Sequence, residues 1–162
     1  MTVGHTVWLV ICGEPERGDD AAAPIAVDGL PAHVLARCEI RRGAALDVDT
    51  LLDIPAGAAC VLVDAAIGIP AGSVVVVPLD ELGRPIDCPA NDASPRSSHE
   101  LPVKHVLGLA RVLRGRLPAG SFVGIGAATA GLGDPLSEPV TRGLPAFRAA
   151  IVAEILRLDS AA

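Results

Sequence analysis

The sequence predicts an α/β fold: a single three-layer domain spanning residues 1–162, with a mostly parallel twisted sheet covered by helices on both faces. Three observations lead there. Short apolar runs rich in β-formers alternate with segments of helical character, the pattern of strands joined by right-handed crossovers. Hydrophobic residues make up 51% of the 162 but aromatics only 2%, so the core is built from Val, Leu, Ile and Ala. Such side chains suit the tight layers of a helix-covered parallel sheet. The acidic residues with apolar neighbours fall just after predicted strands, where sheets of this kind bind ligands.

Val7–Cys12 is an apolar run stopped by Gly13 and reads as a buried strand. A polar loop follows, and residues 21–30 look helical, with Pro24 near the first turn where a missing N–H costs little. Residues 34–42 are expected to form a second, less apolar strand, and residues 47–52 a short helix ended before Pro55 and Gly57. Residues 59–63 form the clearest central strand and deliver Asp64 at its end; residues 72–78 make another strand. Residues 83–97, rich in Pro, Asp, Asn and Ser, are the longest loop. Ser98 is the expected N-cap of a helix over residues 99–114, with Pro102 in its first turn. Residues 121–126 form the last strand and residues 138–158 the last helix, expected to break near Gly143, Leu144 and Pro145.

A formal charge of −6 provides no basic face for phosphates, which excludes nucleic acid as the expected partner. Arg41 and Arg42, and the later Arg111, Arg114 and Arg116, form groups short enough to be solvated surface. No apolar run approaches the roughly 20 residues that span a bilayer, and the first residues lack the basic and apolar regions of a secretory signal. Cys12, Cys38, Cys60 and Cys88 are scattered singly, with no C-x-x-C, and Cys12 and Cys60 read as buried small hydrophobes. A soluble, cytoplasmic protein is the expectation.

The loop from Gly13 to Asp20 holds Glu14, Glu16, Asp19 and Asp20. One of the paired aspartates can cap the following helix through its free N–H groups; the second is surplus to that task. Asp64, between Val63 and Ala65, is a charge with apolar neighbours on both sides, costly unless paired or liganded. His99 lies in Ser97-Ser98-His99-Glu100; alone it would be read as a surface residue. The string from His99 to Val103 is not the zincin motif, because Val103 stands where the second His is required. Residues 124–129 nearly match G-x-G-x-x-G, but Thr129 replaces the last glycine and Gly131 and Gly133 follow instead of a helix, which disfavours dinucleotide binding. No G-x-S-x-G elbow supports a serine hydrolase.

In this order (an apolar strand, a Gly-started loop with Asp19-Asp20, a strand ending in Asp64, then Ser98-His99-Glu100-Leu101) the chain resembles the hydrogenase maturation proteases. Glu14 stands where the family commonly has Asn, Ala21 where a Gly often follows the acidic pair, and Gly43-Ala44 where Gly-Thr is frequent. The resemblance implies an endopeptidase that removes the C-terminal extension of the nickel-loaded large-subunit precursor of a nickel-iron hydrogenase. It further implies that Asp20, Asp64 and His99 form the catalytic and metal-contacting set. Nickel would be delivered by the substrate, and another divalent metal such as zinc also suits these donors. The same residues would serve a non-catalytic nickel checkpoint or chaperone that inspects the large subunit without cutting it.

Overall fold

The computed structural model describes residues 7–85 and 102–161. Its strands are β1 (Val7–Cys12), β2 (Cys38–Gly43), β3 (Ala59–Ala66), β4 (Val74–Pro78) and β5 (Gly120–Gly126), joined in one sheet of order β2-β1-β3-β5-β4. Parallel pairing joins β1 to β2 and to β3, and β3 to β5; β4 runs antiparallel on β5 and closes that edge. The mostly parallel three-layer α/β architecture expected from the sequence is the one observed.

Side chains one residue apart on a strand point to opposite faces, so each central strand serves two cores. Val7, Leu9 and Ile11 of β1, with Val61 and Val63 of β3, face α1 (Ala22–Asp28) and α6 (Glu138–Ser160). Trp8, Val10 and Cys12, with Cys60 and Leu62, face α3 (Val48–Asp53) and α5 (Val103–Arg114). The short helices α2 (Ala32–Leu35) and α4 (Leu79–Leu82) finish the two layers. Along α6 the buried residues are Val140, Leu144, Phe147, Ile151, Ile155 and Leu158, a stripe at steps of three and four. Among the described residues no helix is long and apolar enough to cross a membrane.

Several local expectations are corrected. The predicted second strand begins later: residues 32–35 coil into α2, and pairing with β1 starts at Cys38. β4 starts at Val74 and α5 at Val103, with Pro102 as N-cap. Ser98, His99 and all but the first three residues of the predicted long loop, together with Cys88, lie outside the described residues. Cys12, Cys38 and Cys60 are buried free thiols.

The last helix does not break. α6 runs 23 residues through Pro145. Pro145 and Thr141, whose carbonyl loses its usual partner there, are both on the exposed side. Leu144 and Phe147 hold the other side in the core. Gly143 is required by packing: a Cβ there would lie 2.4 Å from the Gly72 carbonyl oxygen. Arg114, expected to be solvated surface, donates from Nη1 to the carbonyls of Leu51 and Ile54 at 2.6 and 2.7 Å. It therefore ties the end of α5 to the end of α3.

Two helical glycines give a test with opposite signs. Gly108→Ala, with open space around its Cβ, should stabilise the protein by up to about 1 kcal/mol through helix propensity alone. Gly143→Ala should destabilise it by about 1–3 kcal/mol, because the overlap with Gly72 outweighs the same propensity gain. Urea-unfolding midpoints of the two variants check this, and a stabilised Gly143→Ala would show that the contact yields freely.

Candidate functional site

From β1 the chain crosses to β2 on one side, and β3 lies on the other. Strand order reverses at that boundary, which opens a crevice between the carboxyl ends of β1 and β3. The last pair in their register is Ile11 with Val63, so Cys12 and Asp64 come next in line. Asp64 lies within β3, not after it, because pairing with β5 continues to Ala66. Strand alternation puts it on the face of Cys60 and Leu62, which is the α5 face. The Asp64 carboxylate is half-buried and accepts a 2.8 Å bond from the Ala65 N–H.

The loop from Gly13 leads into a single 3-10 turn, Gly18–Ala21, ahead of α1. Gly13 takes φ +134°, and a Cβ there would sit 2.1 Å from the Asp20 carbonyl oxygen, so only glycine lets the loop fold back this closely. Asp20 is half-buried, and its Oδ2 accepts the Glu14 N–H at 2.7 Å. The buried Cys12 thiol feels the charge of both acids. Its pKa is pushed up, first by burial and then by the charges of Asp64, Cys60 and Asp20. The charges of Asp20 and Asp64 are thus both felt at the end of β1. Among the described residues no three of His, Cys, Asp and Glu are grouped so as to hold a metal ion. His99 lies outside those residues.

Asp19 does something the sequence did not disclose. Neither aspartate caps the helix that follows; the turn has no side-chain cap. Asp19 is fully buried and reaches across to the segment after β5. Its Oδ2 accepts the N–H groups of Ala128 and Thr129 at 2.7 and 3.0 Å and the Ser137 hydroxyl at 2.8 Å; Oδ1 accepts the Ser137 N–H at 2.7 Å. Burial alone would raise the pKa of this carboxyl, but the bonds from Ser137, Ala128 and Thr129 outweigh it and hold the pKa below the ordinary value. The same bonds account for the near-match to a dinucleotide loop. The N–H groups of Ala128 and Thr129 face an anion, and that anion is the protein's own. The only advance signal was that one aspartate of the pair was surplus to capping.

Comparison with known proteins fits this geometry. Neither a family model nor a curated relative matches the chain, but solved structures do. The hydrogenase maturating endopeptidase HybD from E. coli aligns over 93% of this chain and 92% of its own, with TM-score 0.70 and 18% identity. The NiFe hydrogenase maturation protease HybD from Thermococcus kodakarensis aligns over 93% and 97%, with TM-score 0.61 and 25% identity. HycI, a maturation protease of the same organism, aligns over 96% and 95%, with TM-score 0.61 and 20% identity. The fold is therefore that of the hydrogenase maturation proteases, the family that the sequence resembles, and the structural likeness covers more than nine-tenths of the chain.

The Asp19 clasp has a signed pH consequence. A carboxyl whose folded pKa lies below its unfolded value of about 3.9 contributes stability that is complete above that value and drains away as pH falls through the folded value. Asp19→Ala should cost about 3 kcal/mol at neutral pH by leaving buried donors without an acceptor. Asp19→Asn should also be destabilised, and it should lose less further stability than wild type below about pH 4. Urea midpoints of the three proteins from pH 7 down to 3 check this, and parallel acid limbs would remove Asp19 as a source of acid sensitivity.

Proposed function

We propose that this protein is an endopeptidase that removes the C-terminal extension of the nickel-loaded large-subunit precursor of a nickel-iron hydrogenase. What supports the reading is the maturation-protease fold, together with two acids, Asp20 and Asp64, whose charges both reach Cys12 at the strand end where the sheet order reverses. A crevice that brings two carboxylates to one strand end suits a cation presented from outside. Nickel here is part of the substrate, held by the precursor's own cysteines.

His99 is proposed as the third contact, on its sequence context and on where α5 begins. Arg114, at the C-terminus of α5, sits beside the last carbonyls of α3, just before β3 starts. The helix therefore runs with its N-terminus toward the carboxyl edge, on the face that carries Asp64. His99 stands four positions before Val103, a chain reach of at most about 14 Å.

Two carboxylates and an imidazole are donors that suit nickel and would equally accept zinc. They would recognise a loaded precursor by completing the coordination of its metal. The metal would polarise the scissile carbonyl or the attacking water, and one of the two aspartates would take the water's proton.

The test is incubation of the protein with nickel-loaded and nickel-free precursor, followed by mass measurement of the large subunit. Loss of the extension from the loaded form alone is expected. Asp64→Asn, close in shape to wild type, should slow processing by roughly 100-fold or more with little change in thermal midpoint, and His99→Ala should weaken the response to nickel. Nickel-dependent binding with no change in mass would make the protein a checkpoint and end the peptidase reading.

A further inference from the structure

Residues 127–137 leave β5 and cross the carboxyl edge with no helix or strand, yet their shape is held at many points. Besides the four bonds to the Asp19 carboxylate, three backbone bonds join this segment to the Asp20 loop. The Asp19 N–H donates to the Thr129 carbonyl, the Gly18 N–H to that of Asp134, and the Gly133 N–H to that of Glu16. What this clasp presents outward is Leu132, 73% exposed. Next along the same edge, three residues beyond Asp64, is Ile67, 89% exposed. The two loops touch, because the Ala127 N–H donates to the Ala66 carbonyl. Among the described residues, Val112 on α5 is the remaining large hydrophobic more than 70% exposed. Two exposed acids flank Leu132: Glu16, whose carbonyl holds Gly133, and Asp134, whose carboxylate lies over Gly131.

Ordering a loop costs conformational entropy, and an apolar tip held in water returns nothing to the free protein. The same order helps when a second surface covers the tip, because the loop is already in its bound shape. We propose that Leu132 and Ile67 form the docking lip for the folded precursor, an apolar contact bordered by cationic groups opposite Glu16 and Asp134. This rests on the reading of Asp20 and Asp64 as the acids that meet the precursor's nickel. A metal held in a folded protein reaches them only when the surface around it closes on this lip. Continuity with the crevice and the acidic border select that occupant over a second copy of this chain.

The lip contact does not involve the metal, so it acts on nickel-loaded and nickel-free precursor alike. The experiment measures Kd for both forms by titration with wild type, Leu132→Ala, Leu132→Lys, Ile67→Lys, Glu16→Lys and, as a control on α5, Val112→Lys. Leu132→Lys and Ile67→Lys should each raise Kd about tenfold or more for both forms, and Leu132→Ala less. Glu16→Lys should weaken binding more at low salt than at high, and Val112→Lys should leave Kd unchanged. Thermal midpoints show that the variants fold. Unchanged Kd in the Leu132 and Ile67 variants would overturn the lip while leaving the peptidase reading intact. Lip-dependent binding without cleavage would support the lip and overturn the peptidase. Absence of precursor binding by wild type would overturn both.

Discussion

The Asp19 carboxylate, sealed from water among four donors, is the joint on which the carboxyl edge of this protein depends. An ionised carboxyl without partners could not occupy that position; it would protonate or drag the loop back to solvent. With its partners it makes one body of two segments more than 100 residues apart in sequence. Asp20 is the next residue, so its backbone is set by a neighbour that cannot move. The acid proposed to meet the substrate therefore stands beside one that binds two distant segments of the fold together.

The second constraint is the parity of the strands. Val61 and Val63 serve one core, and Cys60, Leu62 and Asp64 share the opposite face. A slip of one residue in the pairing of β1 with β3 would move Val61 and Val63 out of their core and turn Asp64 away from α5. The buried valines thus hold the register that aims the acid. Reversal of strand order between β2-β1 and β1-β3 then places the switch point at the end of β1, with the buried Cys12 as its last side chain. At the opposite edge Arg114 fastens α5 to α3, which sets the direction of the helix leading back toward Asp64.

Solved maturation proteases share this fold with identities of 16% to 25%. The core of this chain contains Trp8, Phe122 and Phe147 as its buried aromatics and is otherwise aliphatic. Cores accept wide substitution while volume and polarity pattern are kept, so low identity is compatible with one backbone. Small side chains are fixed where backbones meet. Gly120 has a backbone neighbour at 1.8 Å from any added Cβ, and Gly126 one at 2.1 Å, so β5 passes its neighbours at distances that only glycine allows.

The sequence by itself determined the alternation of strands and helices, the aliphatic core, and the placement of Asp20 and Asp64 beside apolar strands. These are local properties, written as periodicity and as charge at the end of an apolar run. It could not show that α6 continues through Pro145, because the contacts of Leu144, Phe147 and Gly143 come from strands and turns distant in the chain. Nor could it show that Arg114 fastens two helices, that β4 turns antiparallel, or that Asp19 serves the segment after β5 and not its own helix. Each of those depends on which groups of opposite need, a carbonyl without a donor or a carboxylate without water, are brought together when the sheet closes. Only the tertiary structure decides that, because residues far apart in the chain carry no sign of each other until they meet.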